Sequence, residues 1–159
     1  MSAPTQSSGQ SAKGVGLLAR LAENKVQGFT QRLSELHASQ KKLDTRKAQV
    51  SSLKKDYQRQ LQTIDADKGL AQVQALRRFI LDLLEMEARV DLEQQSLSAQ
   101  LDHAKQLLLD AQVGQKKMES LVERQDLDQA RKRGLMEQRA IDAAAIARFN
   151  QRDDTPRAY

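Results

Sequence analysis

The fold is decided by residues 17–64, which read LLARLAENKVQGFTQRLSELHASQKKLDTRKAQVSSLKKDYQRQLQTI. Every seventh residue of this segment is apolar or aromatic: Ala22, Phe29, Leu36, Leu43, Val50, Tyr57 and Ile64. A period of seven that is sustained in this way is typical of a helix that packs along one stripe against another helix. The positions beside this stripe are less regular, because Gln40 and Lys47 stand where an apolar residue is expected. The segment therefore predicts a long helix with a thin apolar seam in its middle.

A second pattern of the same period follows a cluster of turn-forming residues. Residues 65–69 read Asp-Ala-Asp-Lys-Gly, and Gly69 is able to adopt a positive φ. The second stripe consists of Leu76, Leu83, Val90, Leu97, Ala104, Ala111 and Met118. Helical patterning continues to about residue 149. We therefore expect an all-α fold, a long antiparallel two-helix coiled-coil hairpin over 17–149, with helices at 17–64 and 70–149 joined by the turn.

The two predicted helices differ in length, which has a consequence for pairing. With the bend near residue 67, residue i is expected to lie opposite residue 134 − i, so that 118–149 would overhang without a partner. An isolated helix gains little stability from propensity alone and depends on packing. The overhang is therefore expected to need a partner. The polar ends of the chain, residues 1–16 and 150–159, are predicted to be flexible tails.

Composition excludes most classes of enzyme fold. Only 39% of the 159 residues are hydrophobic and 3% are aromatic, too few to fill the interior of a globular domain of this length. The chain has no cysteine, and its two histidines, His37 and His103, are not expected to lie together. No apolar run is long enough to span a bilayer, and no signal peptide is apparent. We expect a soluble intracellular protein that is not an enzyme and uses no cofactor or metal.

Charge and apolar residues are unevenly placed. Residues 41–59 contain seven Lys or Arg and two Asp, which could neutralise phosphates of a nucleic acid, although a solvated helix face is favoured. Apolar side chains crowd three turns of the second helix: Leu76, Phe79, Ile80, Leu81, Leu83, Leu84 and Met86. A two-stranded coil hides only a narrow stripe, so some of these side chains should form an exposed patch for a partner. Phe79 and Leu83 are the predicted centre of that patch.

Several segments resemble one known family. They are LLARLAENKV (17–26), LKKDYQRQL (53–61), RRFILDLL (77–84) and MESLVERQDLDQARKRGLMEQRAIDAAAIARF (118–149). Together with the length and the position of the bend, they are similar to the flagellar export protein FliJ. The stalk proteins of virulence type III secretion systems share the same layout.

The resemblance implies a non-enzymatic central stalk of the flagellar type III export apparatus. In that family the two chain ends insert into the pore of the hexameric export ATPase, as the gamma subunit does in rotary ATP synthases, and promote its assembly and activity. The hairpin end faces the cytoplasmic domain of the export gate membrane protein, and the protein also handles export chaperones. The implied location is the cytoplasm, peripherally at the inner membrane below the flagellum.

The resemblance also implies two sets of site residues. The residues expected to bind the export gate are Val50, Leu53, Tyr57, Phe79, Leu83 and Met86. Those expected to bind the ATPase are Arg20, Lys25, Arg124, Arg131, Arg133 and Arg139. Such a stalk is expected to be monomeric when free and to bind no nucleic acid. Three other interpretations stay open: a virulence-system stalk, a self-associating structural coiled coil in which a second copy completes the thin seam, and a rod that binds nucleic acid through 41–59.

Overall fold

The chain folds as two long helices that pack against each other. A computed structural model describes the backbone of residues 7–64 and 69–153 and the side chains of 13–64 and 69–151. Helix α1 spans Ser7–Thr63 and helix α2 spans Leu70–Asp153, and the described residues contain no strand. The predicted all-α helical hairpin is confirmed.

The helix boundaries differ from the prediction at the chain ends. Helix α1 begins at Ser7 rather than at residue 17, and α2 continues to Asp153 rather than 149. Starting a helix is the unfavourable step, and extending one through Gln, Ala and Lys costs little per residue, although Gly9, Gly14 and Gly16 each oppose the extension by about 1 kcal/mol relative to Ala. The polar composition of 7–16 was therefore a poor guide to where the helix starts. Of the predicted tails, 1–16 and 150–159, the outer parts 1–6 and 154–159 lie outside the described residues.

The start of α2 shows a different role for Gly69 from the one predicted. The amide of Val73 donates a hydrogen bond of 2.8 Å to the carbonyl of Gly69, which makes Gly69 the N-cap residue of the helix. Its φ lies outside the left-handed region, and a Cβ there would meet Gln72 Oε1 at 3.5 Å, an ordinary contact. The expectation of a positive φ is wrong, because this residue opens the helix. Most of the predicted turn, 65–68, lies outside the described residues.

Residues Asn24–Gln112 form a compact central unit in which α1 and α2 run antiparallel. Its buried apolar residues are Leu36, Val50, Leu83, Val90, Leu97, Leu101, Ala104 and Ala111. All but Leu101 belong to the two predicted seventh-position stripes, and the other stripe residues of this unit are half-buried. Since α1 has only α2 as a neighbour here, burial is confined to one narrow stripe on each helix.

The pairing register of the central unit differs from the predicted one. Lys47 meets Asp91 and Lys54 meets Glu87, where reversal at residue 67 would place residues 87 and 80. In the observed register Leu43 lies on the cluster formed by Leu36, Leu97, Leu101 and Ala104. The same register brings Lys47 and Lys54 to Asp91 and Glu87, which reversal at the midpoint of the turn sequence does not predict.

Residues 7–23 and 113–153 form a second compact unit, here called the terminal unit. Partial burial continues along one face of α2 through Met118, Val122, Gln125 and Gln129. Beyond it, every residue of 130–151 is exposed. We call 130–151 the terminal segment. The expectation that α2 is unpartnered from residue 118 is thus corrected to 130, because α1 begins ten residues earlier than predicted.

Candidate functional site

Four of the predicted gate-binding residues form an apolar surface in the central unit, here called the ridge: Leu53, Tyr57, Phe79 and Met86. The rings of Tyr57 and Phe79 touch across the two helices, with centroids 5.1 Å apart and planes tilted by 43°. Leu53, Phe79 and Met86 are 42%, 51% and 39% exposed, although all three are large apolar side chains. An exposed apolar surface built from both helices is the kind of surface that binds a protein partner.

The register explains why these residues share one flank of the hairpin. Arg46 and Glu93 approach within 4.0 Å across the two helices. Leu53 lies seven residues after Arg46, and Met86 lies seven residues before Glu93. Since seven residues are about two helical turns, Leu53 lies on the same helix face as Arg46, and Met86 lies on the same face as Glu93. Leu53 and Met86 are therefore opposite each other one heptad closer to the helix ends at Thr63 and Leu70.

The other two predicted gate-binding residues do not belong to the exposed surface. Val50 is 6% exposed and Leu83 is 4% exposed, so the prediction that Leu83 lies at the centre of an exposed patch is wrong. Both residues occupy the seventh-position stripes, which pack between the helices. Helical spacing places Leu81 and Leu92, each 66% exposed, on the face of α2 turned away from that stripe, so they are separate from the ridge.

The thin part of the predicted seam contains a group of interacting polar residues, here called the polar layer: Asp44, Lys47, Lys54, Glu87, Asp91 and Gln94. Lys47 Nζ lies 2.5 Å from Asp91 Oδ1 and 3.4 Å from Gln94 Oε1, and Gln94 Nε2 donates to Asp44 Oδ1 at 2.7 Å. Lys54 pairs with Glu87, and both side chains are more than four-fifths buried. At Lys47 the polar partners come from α2 of the same chain, whereas Gln40, the other polar position of the thin seam, is exposed and its side chain contacts His37 of its own helix.

Sequence reasoning missed the acids of the polar layer, although a signal was present. Glu87 and Gln94 occupy positions on α2 that correspond to those of Lys54 and Lys47 on α1, beside the apolar stripe. Asp91 Oδ1 is buried, and its compensating partner is the Lys47 ammonium. The contact with Asp91, opposed by desolvation and assisted by Glu87 and Asp44, raises the pKa of Lys47 above its usual value of 10.5.

The basic stretch 41–59 is partly neutralised within the chain. Lys47 and Lys54 pair with Asp91 and Glu87, Arg46 lies near Glu93, and Arg59 lies 3.6 Å from Asp56. Four of its seven cations thus face carboxylates. A phosphate backbone would have to compete with these acids, which weakens the nucleic-acid interpretation.

The six predicted ATPase-binding residues are all exposed. Arg20 and the four arginines of α2 belong to the terminal unit, whereas Lys25 belongs to the central unit. Arg124 and Arg131 are seven residues apart and share a helix face, but Arg133 lies on the opposite face of α2. Within the described part of the chain none of the six pairs with a carboxylate. The four arginines of α2 therefore do not form one patch on that helix.

The terminal segment carries apolar side chains on every side. Its residues 141–149 read IDAAAIARF, and Leu135, Met136, Ile141, Ile146 and Phe149 are each more than half exposed. At 3.6 residues per turn Leu135, Ile146 and Phe149 lie on one side of the helix, Met136 and Ile141 lie about 100° and 120° to either side of Leu135, and alanines of 140–147 occupy the remaining face. The face that is half-buried up to Gln129 continues as Met136, Ala140, Ala143 and Ala147. The segment also carries seven charged side chains, so it is amphipathic, and its uncovered apolar side chains are the kind that bind a protein partner.

Two kinds of feature are absent from the described residues. No group of three or more His, Cys, Asp or Glu is placed to hold a metal ion there. Neither helix, as far as the structure describes it, has a stretch long and apolar enough to cross a membrane.

In comparisons with known proteins, no family model, no curated protein and no solved structure matches the chain. Its resemblance to a known family therefore stands on the residue patterns alone.

Proposed function

We propose that this protein is a non-enzymatic central stalk of a flagellar type III export apparatus, of the FliJ kind. The observation that carries the proposal is the terminal segment, a helix with apolar side chains on all sides and no cover in the free chain. A flat partner surface would cover only one side of such a helix. A narrow channel covers every side, and the pore of a hexameric export ATPase is a channel of that kind.

Residues of the segment favour close packing in a channel. Seven of the nine residues in 141–149 are Ala, Ile or Phe, and the Ala side chains allow neighbouring backbones to approach closely. Arg131, Arg133 and Arg139 surround the same helix and can pair with acids of a pore wall. The stalk and the ATPase hexamer then influence each other only through contacts that differ between the conformations of the ATPase subunits. Stimulation of hexamer assembly and of ATP turnover follows from such differential contacts.

The ridge supplies the second half of the proposal. Leu53, Tyr57, Phe79 and Met86 would bind the cytoplasmic domain of the export gate protein, placing the stalk peripherally at the inner membrane. The ridge and the terminal segment belong to different units of the chain. One protein can therefore contact an ATPase through one surface and a gate through the other, while export chaperones bind elsewhere on the helices.

The first experiment measures ATP hydrolysis by the cognate flagellar ATPase with and without this protein, each checked for mass by light scattering. We expect a monomeric stalk that raises turnover and hexamer formation at about one chain per six ATPase subunits. The paired variant Ile141→Gln with Ile146→Gln should lose stimulation. Leu81→Gln with Leu92→Gln, which changes equally exposed residues outside the segment, should keep it. A stable homo-oligomer with no effect on the ATPase would refute the stalk and favour a structural coiled coil.

The second experiment separates the ridge from the terminal segment. Phe79→Ala with Met86→Ala should weaken binding to the isolated gate domain about tenfold or more, as expected when central apolar anchors are removed. It should leave ATPase stimulation unchanged. Leu83 is unsuitable for this test because its substitution would disturb the buried stripe. The matched control is Leu81→Ala with Leu92→Ala. Loss of both activities together would contradict the assignment of one surface to each partner.

A stalk of a virulence type III system is the alternative that the same surfaces also support. It would give the same two-surface behaviour with a different ATPase. Stimulation measured side by side with a flagellar and a virulence-type ATPase distinguishes them.

A further inference from the structure

The apolar stripes of the central unit do not by themselves define one pairing register. Val50 on α1 and Val90 on α2 are buried between the Lys47–Asp91 and Lys54–Glu87 pairs. If α2 slid along α1 by seven residues, Val50 would meet Leu83 or Leu97, which are also apolar. Each slipped arrangement would again oppose apolar stripes, because both stripes repeat every seven residues.

The polar layer distinguishes these arrangements. Lys47 lies beside Gln94 and Lys54 beside Glu87, so the two pairs are themselves separated by seven residues on each helix. A slip in one direction would set Lys47 against Leu101 and Glu87 against Leu61. A slip in the other direction would set Lys54 against Ile80. Every slipped register therefore buries at least one charge against an apolar side chain, which is strongly unfavourable.

We propose that the polar layer is a register lock, which selects one of several hairpin alignments that the apolar stripes would otherwise permit. The lock acts by penalising the wrong alignments, since the largely buried Lys54–Glu87 pair adds little stability compared with apolar residues of similar volume, and the half-exposed Lys47–Asp91 pair is screened by solvent. Its effect is to hold the ridge together, because Leu53 lies opposite Met86 in one alignment only. The inference concerns the hairpin itself and does not depend on the partners proposed above.

Cross-linking can read the register directly, because the chain has no cysteine. Leu53→Cys with Met86→Cys reports the observed register, and Leu53→Cys with Phe79→Cys or with Glu93→Cys reports the two slipped ones. Seven residues correspond to about 10 Å along a helix, which a short bis-maleimide discriminates. Products are quantified by mass spectrometry as cross-linked monomers. In the native background we expect the Leu53–Met86 product to dominate.

The lock is then removed with Lys47→Leu, Lys54→Leu, Glu87→Leu and Asp91→Leu in one chain. We expect the slipped products to increase at least about tenfold relative to the native background, while the melting temperature does not fall. An ion pair that served stability alone would change the melting temperature and leave the product ratio unchanged. If only the Leu53–Met86 product forms, the short connection between the helices sets the register and the proposal is wrong.

A second variant shifts the acidic partners of Lys54 and Lys47 by one heptad along α2 instead of removing them, so that charged residues remain between the helices. Ile80→Glu with Asp91→Leu and Gln94→Leu offers acids to Lys54 and Lys47 in the register slipped by one heptad, at residues 80 and 87. We expect Leu53–Phe79 to become the major product. The charge-reversed pair Lys54→Glu with Glu87→Lys is the control and should retain the native product. A major Leu53–Met86 product in the Ile80→Glu variant would also overturn the proposal.

Discussion

Two stretches of α2 with equal length, residues 83–104 and 130–151, differ in burial. The first contains five buried apolar residues, including Val90 at 1% exposure, whereas every residue of the second is exposed. Both are helical, and nearly half of the first and half of the second are apolar residues, with Leu the commonest apolar residue in the first and Ala in the second. The difference is whether α1 covers the stripe. An apolar residue on α2 is therefore buried or exposed according to whether the neighbouring helix covers it.

The largest expected effect is seen when an aspartate replaces an apolar residue in each of the two stretches. Val90→Asp should lower the free energy of unfolding by about 3 kcal/mol or more, because an unpaired carboxylate would lie between the helices. Ile146→Asp, at a side chain that is 62% exposed, should change it by less than about 0.5 kcal/mol. Urea denaturation followed by circular dichroism measures both. Equal effects would mean that the terminal segment is covered in the free chain.

Amide hydrogen exchange should show the same contrast without a mutation. Backbone amides at 83–104 are expected to exchange at least about a hundredfold more slowly than those at 130–151, because a helix without tertiary packing opens locally. Addition of the ATPase should slow exchange in 130–151 and leave 83–104 unchanged. Uniform protection along α2 in the free protein would remove the distinction between the two stretches.

A smaller effect distinguishes the ion pairs within the paired stretch. Glu87→Gln should cost about 1–2 kcal/mol, since it leaves the largely buried Lys54 without a carboxylate. Glu85→Gln breaks the contact between Glu85 and Arg89, whose side chains are 64% and 71% exposed. This change should lower the free energy of unfolding by less than about 0.5 kcal/mol. Chemical denaturation of the two variants at neutral pH gives the comparison. Similar losses would show that solvent screens both pairs alike.

The smallest effect is a pH dependence assigned to Lys47. Its pKa is raised in the folded chain, so the stabilisation it provides is complete below 10.5 and is lost as the pH rises through the higher folded value. The stability difference between the wild type and Lys47→Met should be constant from neutral pH to about pH 9 and shrink above pH 10.5. Lys41→Met, which removes an exposed lysine from the same helix, is the control variant. A difference that grew with pH would contradict the sign of the shift.

Part of the candidate site could be predicted from the sequence. The exposure of Phe79 and Met86 follows from having more apolar residues over three turns than a narrow stripe can cover. Leu83 was predicted to be exposed but is buried, because crowding of apolar residues shows that some side chains are exposed but not which ones. That choice depends on the register of the partner helix, which also brings Leu53 opposite Met86.

The sequence by itself determined that the chain forms two long helices and which residues line the stripe between them. Periodicity carries this information because successive residues of a helix turn by a constant angle, so spacing alone defines a face. Tertiary structure decided the register, the partners of Lys47 and Lys54, and the residue at which α2 loses its cover. These depend on how two repeating surfaces align, and a pattern that repeats every seven residues is compatible with several alignments.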